Sequence, residues 1–168
     1  HIGALAARLA DRPVPPARPA ARPALASLYE PEHFGPGLFK IGERANAAGS
    51  KAFAEALGRE DFEALAGIAL AQDTSGARAL DLHLAKAGRD EAADLAALVA
   101  ALAPRARAAL CLDSREPEAL ERALPLVGGR PLVNSASLED PGRARRGFAL
   151  AREPGAAGVC LAGAGSGP

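Results

Sequence analysis

Residues 79–114 read ALDLHLAKAGRDEAADLAALVAALAPRARAALCLDS, and this stretch decides the architecture. Two short apolar runs, Ala79–Leu82 and Ala108–Leu112, have the length and bounding of buried strands. Between them Asp90 is placed to cap a helix over Glu91–Leu102, which must stop before Pro104 because a proline disfavours helical backbone in the residue ahead of it. Strand, helix and strand in so short a span form a βα unit, the building block of a parallel sheet.

The same alternation runs outward in both directions. Upstream, a strand is expected at Leu38–Gly42, then helices at Ser50–Leu57 and Phe62–Gln72. In the second of these Phe62, Leu65, Ile68 and Leu70 supply the apolar stripe and Gly76 the stop. Downstream, Pro117 opens a helix through about Leu126 that Gly128 and Gly129 close. Pro131–Val133 is a fourth strand, Arg143–Arg152 a helix and Gly158–Leu161 a fifth strand. The fold class is α/β. Ahead of this region, Ile2, Leu5 and Leu9 sit at helical spacing, and Asp11 to Pro23 holds five prolines in thirteen residues, an extended spacer. A short helical turn at Ala24–Tyr29 and turn-rich sequence from Pro31 to Gly37 complete a linker at 13–37. The α/β domain then occupies 38–168, and residues 1–12 are the tail of a preceding domain.

Composition narrows the function. Among the 168 residues 20 basic side chains balance 20 acidic ones, without the basic excess that phosphate recognition requires, so nucleic acid is not an expected partner. Charges and glycines interrupt every apolar stretch well short of the ~18–20 residues that cross a bilayer, and no secretory leader is recognisable, so no membrane partner is expected either. Cys111 and Cys160 lie in apolar runs and read as small core residues rather than a disulfide framework, which suits a cytoplasmic setting. The chain contains no methionine, as an excised piece of a longer protein would. With 43 alanines and only six aromatic residues, the core must be built from Ala, Leu and Val.

Each of the first four strands ends in a polar residue: Glu43, Asp81, Asp113 and Asn134. Ligands of parallel α/β folds bind at the carboxyl ends of the strands, so these four are the candidate site. A polar residue where one strand meets water is unremarkable, and only the succession of four makes the pattern informative. Carboxylates and a carboxamide suit a neutral, nitrogen-rich ligand edge, since a carboxylate accepts two parallel N–H bonds and an asparagine offers a donor and an acceptor together. A pterin ring has such an edge. A phosphate ligand would call for Lys, Arg or a glycine-rich loop entering a helix. Gly128 and Gly129 lie at the wrong end of a strand for that, and Gly163, Gly165 and Gly167 form a weak pattern with no helix after it.

The stretches IGERANAAGSK (41–51), ALDLHLAKAGRDEAADL (79–95), LCLDSREPEALERAL (110–124) and GGRPLVNSASLED (128–140) together resemble the pterin-binding domain of cobalamin-dependent methionine synthases. The resemblance covers about residues 38–168 and puts Glu43, Asn46, Asp113 and Asn134 on motif positions. Residues 1–12 resemble the end of the homocysteine-binding domain that precedes it. The resemblance implies a (β/α)8 TIM barrel of the pterin-binding type, here truncated to about its first five strands, because such a barrel needs ~250 residues. It further implies 5-methyltetrahydrofolate as substrate, with Asp113 and Asn134 bonding the pterin and Glu43, Asn46 and, more weakly, Asp81 shaping the pocket. It implies transfer of the N5-methyl group to Co(I) cobalamin for methionine synthesis, with protonation of N5 improving the leaving group. The cobalamin-binding domain of the parent would be the protein partner, and cobalamin and zinc would sit in domains outside this chain. No catalytic residue and no metal ligand is assigned here, and an isolated fragment is expected to be inactive. The family often has Asn where this chain has His83, for which a structural, hydrogen-bonded role is the simpler expectation. Two alternatives are a dihydropteroate synthase-like barrel, which lacks support because ALDLHL replaces that family's glycine-rich D-x-G-G-E-S strand end, and a degenerate barrel piece serving as an interaction module.

Overall fold

A computed structural model describes residues 23–137, 140–152 and 154–161. The helix expected over residues 2–10, most of the proline-dense run and the terminal glycines lie outside the described residues. The elements in chain order are strands β1 (Ala24–Ala26), β2 (Pro31–His33) and β3 (Ile41–Asn46), and helices α1 (Lys51–Gly58) and α2 (Phe62–Thr74). Strand β4 (Ala79–His83), helix α3 (Glu91–Leu102), strand β5 (Ala109–Asp113) and helix α4 (Pro117–Ala123) follow. Leu124–Leu126 adds a 3-10 turn, and strand β6 (Leu132–Ser137), helix α5 (Pro141–Arg152) and strand β7 (Ala157–Leu161) complete the fold.

Strands β3 to β7 form one sheet in sequence order, every pair parallel, so the α/β expectation with five βα-type strands is borne out. The arc is open among the described residues, with β3 and β7 as its edges. Local chemistry starts the helices where the sequence indicates. Ser50, Asp61 and Asp90 accept the backbone N–H three residues on, and Pro117 occupies the first turn of α4. Each such cap is worth about 1 kcal/mol. Gly76 takes a φ of +85° after α2, a conformation without steric cost only for glycine.

Alternation assigns the two faces of the sheet. Leu80, Leu82, Leu110, Leu112 and Val133 pack with Phe53, Leu57, Leu65, Leu98 and Leu102 of the helices in the main core. Each buried leucine stabilises by roughly 1.5–3 kcal/mol. The opposite, inner face carries Ala79, Ala109, Cys111 and Leu132, which enclose Leu25.

Leu25 belongs to a β1–β2 hairpin, where a short helical turn was expected. The hairpin forms because distant groups complete it. Ala26 and Arg130 exchange backbone hydrogen bonds at 2.9 Å, and the Arg130 guanidinium donates to Ala24 O. Arg78 donates to Glu32 and to His33 O. Gly129 is needed there, since a Cβ would lie 2.2 Å from Ala26 O. The glycine assigned to ending a helix thus permits a close backbone approach.

The first sheet strand also starts later than expected. Leu38 is 81% exposed, and pairing begins at Ile41 and runs to Asn46 with a register shift between Gly42 and Ala45. Gln72 of α2 fills that irregularity: its Oε1 accepts the Arg44 N–H at 2.7 Å, and a Cβ on Gly42 would strike it at 2.6 Å. Of the two cysteines, Cys111 is buried as expected, whereas Cys160 is exposed on the edge strand β7. Among the described residues no helix is long and apolar enough to cross a membrane.

Candidate functional site

Strand register brings the candidate residues into one row. Asn46 stands beside His83 and Asp113 beside Asn134, while the His83 ring bridges from β4 to β5 through Asp113. Parallel neighbours point to the same face, so four adjacent strands present Asn46, His83, Asp113 and Asn134 at the carboxyl end of the inner face. Asp81 lies one layer deeper, level with Cys111.

The deeper layer orients the upper one. Asp81 is only 5% exposed, and its Oδ1 takes the Cys111 thiol at 3.0 Å and the Asn134 side-chain N–H at 3.3 Å. A carboxylate can only accept, so the NH2 of Asn134 faces Asp81, which orients the amide. Cys111 remains a thiol and hence a donor. Burial first, then the negative charges of Asp81, Asp113 and Glu43, hold it far from ionisation. Glu43, Asp81 and Asp113, from three strands, therefore all face this one thiol.

At the top, His83 Nδ1 lies 3.2 Å from Asp113 Oδ2 and 3.3 Å from Asp113 O. The Asp113 carboxyl is raised above its ordinary range. Desolvation is the largest cause, Asp81 and Glu91 add to it, and His83 opposes it. Ser114, the buried residue that follows, donates from its hydroxyl to Glu91 and takes the Glu116 N–H, which fixes the loop leaving β5.

The structure thus brings together Asp81, Asp113 and Asn134, with Glu43 nearby but exposed. Asn46 is in the row, yet its Oδ1 accepts the N–H groups of Ala48 and Gly49 at 2.8 and 2.9 Å. That amide holds the β3–α1 turn, and the backbone N–H of Ala47 is tied to His83 O. One participant has no signal in the sequence pattern: only strand register puts the Cys111 thiol beside Asp81. The hydrogen-bonded role expected of His83 is seen, its ring held by Asp113. Among the described residues no group of three or more His, Cys, Asp or Glu could hold a metal ion.

Comparison with known proteins supplies the family. The model of the pterin-binding enzyme family matches residues 42–166. The chain belongs to that family. A pterin-binding enzyme domain with this sequence is also 38% identical over 167 residues to a methionine synthase of Mycobacterium tuberculosis (strain ATCC 25618 / H37Rv), covering 96% of this chain and 14% of that protein. It is 39% identical over 145 residues to the methionine synthase of Mycobacterium leprae (strain TN), covering 83% of this chain and 12% of that protein. The expected resemblance to the pterin-binding region of methionine synthases is borne out, and the chain spans about one seventh of the length of the relatives it matches.

Proposed function

We propose that this chain supplies the first part of a folate pocket, in which Asp113 and Asn134 grip the pterin of 5-methyltetrahydrofolate so that its N5-methyl group is presented for transfer to Co(I) cobalamin in methionine synthesis. The observation that carries the reading is the pairing of Asp113 with Asn134 in register, with the Asn134 amide oriented by its N–H bond to the buried Asp81. The 2-amino group and N3–H of a pterin are parallel donors, the complement of an ionised carboxylate. Asp81 serves as the buried support that aims Asn134, and Glu43 adds negative charge to the inner face. Cobalt would supply the nucleophile from another domain of the longer protein, and the residues here bind and orient the pterin. The remainder of the pocket, the homocysteine-binding tail at 1–12, a proline-dense spacer from residue 13 up to the docked β1–β2 hairpin and a cytoplasmic setting are parts of the same proposal.

The test is a titration of the 168-residue chain with 5-methyltetrahydrofolate followed by nitrogen-15 NMR. Weak binding is expected, with shifts confined to the ends of β4, β5 and β6. Asp113→Ala and Asn134→Ala should each weaken it about tenfold or more, the scale of ~1–3 kcal/mol for a lost charge-assisted or buried hydrogen bond. Identical titrations of the three chains would overturn the assignment.

A further inference from the structure

We propose that His83 is a positioning residue of this site: by donating from Nδ1 to Asp113 it aims the carboxylate and favours the acceptor form that recognition of a donor edge needs. The inference rests on the reading of Asp113 as the pterin-binding carboxylate, and adds a residue to which neither sequence motif nor family resemblance gives a ligand-site role.

The geometry is specific. Nδ1 faces two oxygens of the same residue, the carboxylate at 3.2 Å and the backbone carbonyl at 3.3 Å. Both are acceptors, so Nδ1 must carry the proton whatever the charge of the ring. The hydrogen bond is therefore present with a neutral imidazole and strengthens when the ring is charged. The β4 backbone that carries the ring is itself fixed, because His83 O accepts the Ala47 N–H at 2.8 Å.

The electrostatic setting gives this bond its consequence. The charged groups facing Asp113 are Asp81 on β4, Glu91 at the start of α3, and His83. The first two repel a second carboxylate, and His83 alone can be cationic. Together with half-burial, they push the carboxyl toward its protonated form, and His83 works against them. A protonated Asp113 accepts fewer N–H bonds and offers an O–H donor toward a donor edge, so it loses the ligand. Without His83 the carboxyl would both swing free and protonate at higher pH.

The experiment reads the carboxyl carbon of Asp113 by NMR across pH in the full chain labelled at aspartate, for the native sequence, His83→Ala and His83→Gln, without ligand. The Asp113 midpoint should rise in His83→Ala. His83→Gln, which keeps a donor but cannot become charged, should recover part of that rise. His83→Gln also keeps the test open if His83→Ala unfolds. An Asp113 midpoint equal in native and variant chains overturns the proposal. In a companion titration, the pH at which 5-methyltetrahydrofolate affinity halves should move with the same midpoint. A shifted midpoint with no folate binding at any pH would uphold the His83–Asp113 coupling and count against the pterin reading instead, so the two failures are distinct.

Discussion

The two ends of the sheet's inner face are built on opposite principles. At the amino end of the strands, Leu25 is fully buried among Ala79, Ala109, Cys111 and Leu132, and arginines and backbone bonds lock its hairpin down. At the carboxyl end, the buried Asp81 takes the Cys111 thiol, and Asp113 nearby has its carboxyl raised by burial and by neighbouring negative charge. Apolar burial with complete hydrogen bonding stabilises, and desolvated like charges do the reverse. The contrast teaches that one end holds the fold and the other, the end proposed to receive the pterin, carries an electrostatic cost.

The sharpest way to break the contrast is at the closed end. Leu25→Ala should cost about 2–5 kcal/mol, the range for emptying a well-packed leucine site, and Gly129→Val should be at least as damaging because its Cβ would overlap Ala26 O. Urea unfolding would measure both, and a loss below about 1 kcal/mol in each would show that the hairpin is not a clamp. Next in size are the folate-binding losses of Asp113→Ala and Asn134→Ala given above, which should leave stability far less affected than Leu25→Ala does.

Smaller, and opposite in sign, is the effect of Asp113→Asn on stability. Because the folded state raises the Asp113 carboxyl above its unfolded value of about 3.9, folding takes up a proton between those two values. Stability therefore falls as pH rises through that window and stays lower above it. Asp113→Asn should melt higher than the native chain at pH 7, with the gap closing as the pH drops toward about 3. A variant that melts lower at pH 7 would show that the carboxylate stabilises after all. The smallest change expected is in Asn46→Ala, which should loosen the β3–α1 turn by about 1 kcal/mol and leave folate affinity within about twofold. A larger affinity loss would restore Asn46 to the pocket.

What was legible in the sequence follows the same division. The strands β4 and β5 and the helix between them were readable because Asp90, Pro104 and the apolar runs act locally. Asp113 was readable because it ends β5, a local property too, whereas Asn134, expected at a strand end, lies inside β6, which runs on to Ser137. The hairpin was not, since Leu25 has three-residue strands around it and its partners, Arg78, Gly129 and Arg130, lie far along the chain. The start of β3 was misplaced because Leu38 is apolar yet faces solvent, and the irregularity at 43–44 is held by Gln72 from another element. His83 and Cys111 acquire their partners only through the pairing of β4 with β5, which no spacing within one strand reveals.

The Ala26–Arg130 clamp also has a kinetic meaning. Each sheet strand pairs with its immediate successor, so the arc can assemble from β3 to β7 one helical crossover at a time. The hairpin must instead find a partner about a hundred residues away, a contact separated by 106 positions for Arg130 and Ala24, and the entropy of closing so long a loop is recovered only once β6 is in place. Docking of Leu25 is therefore expected to come last in ordering this arc, and Leu25→Ala should unfold faster while folding at nearly the native rate, as stopped-flow kinetics would measure.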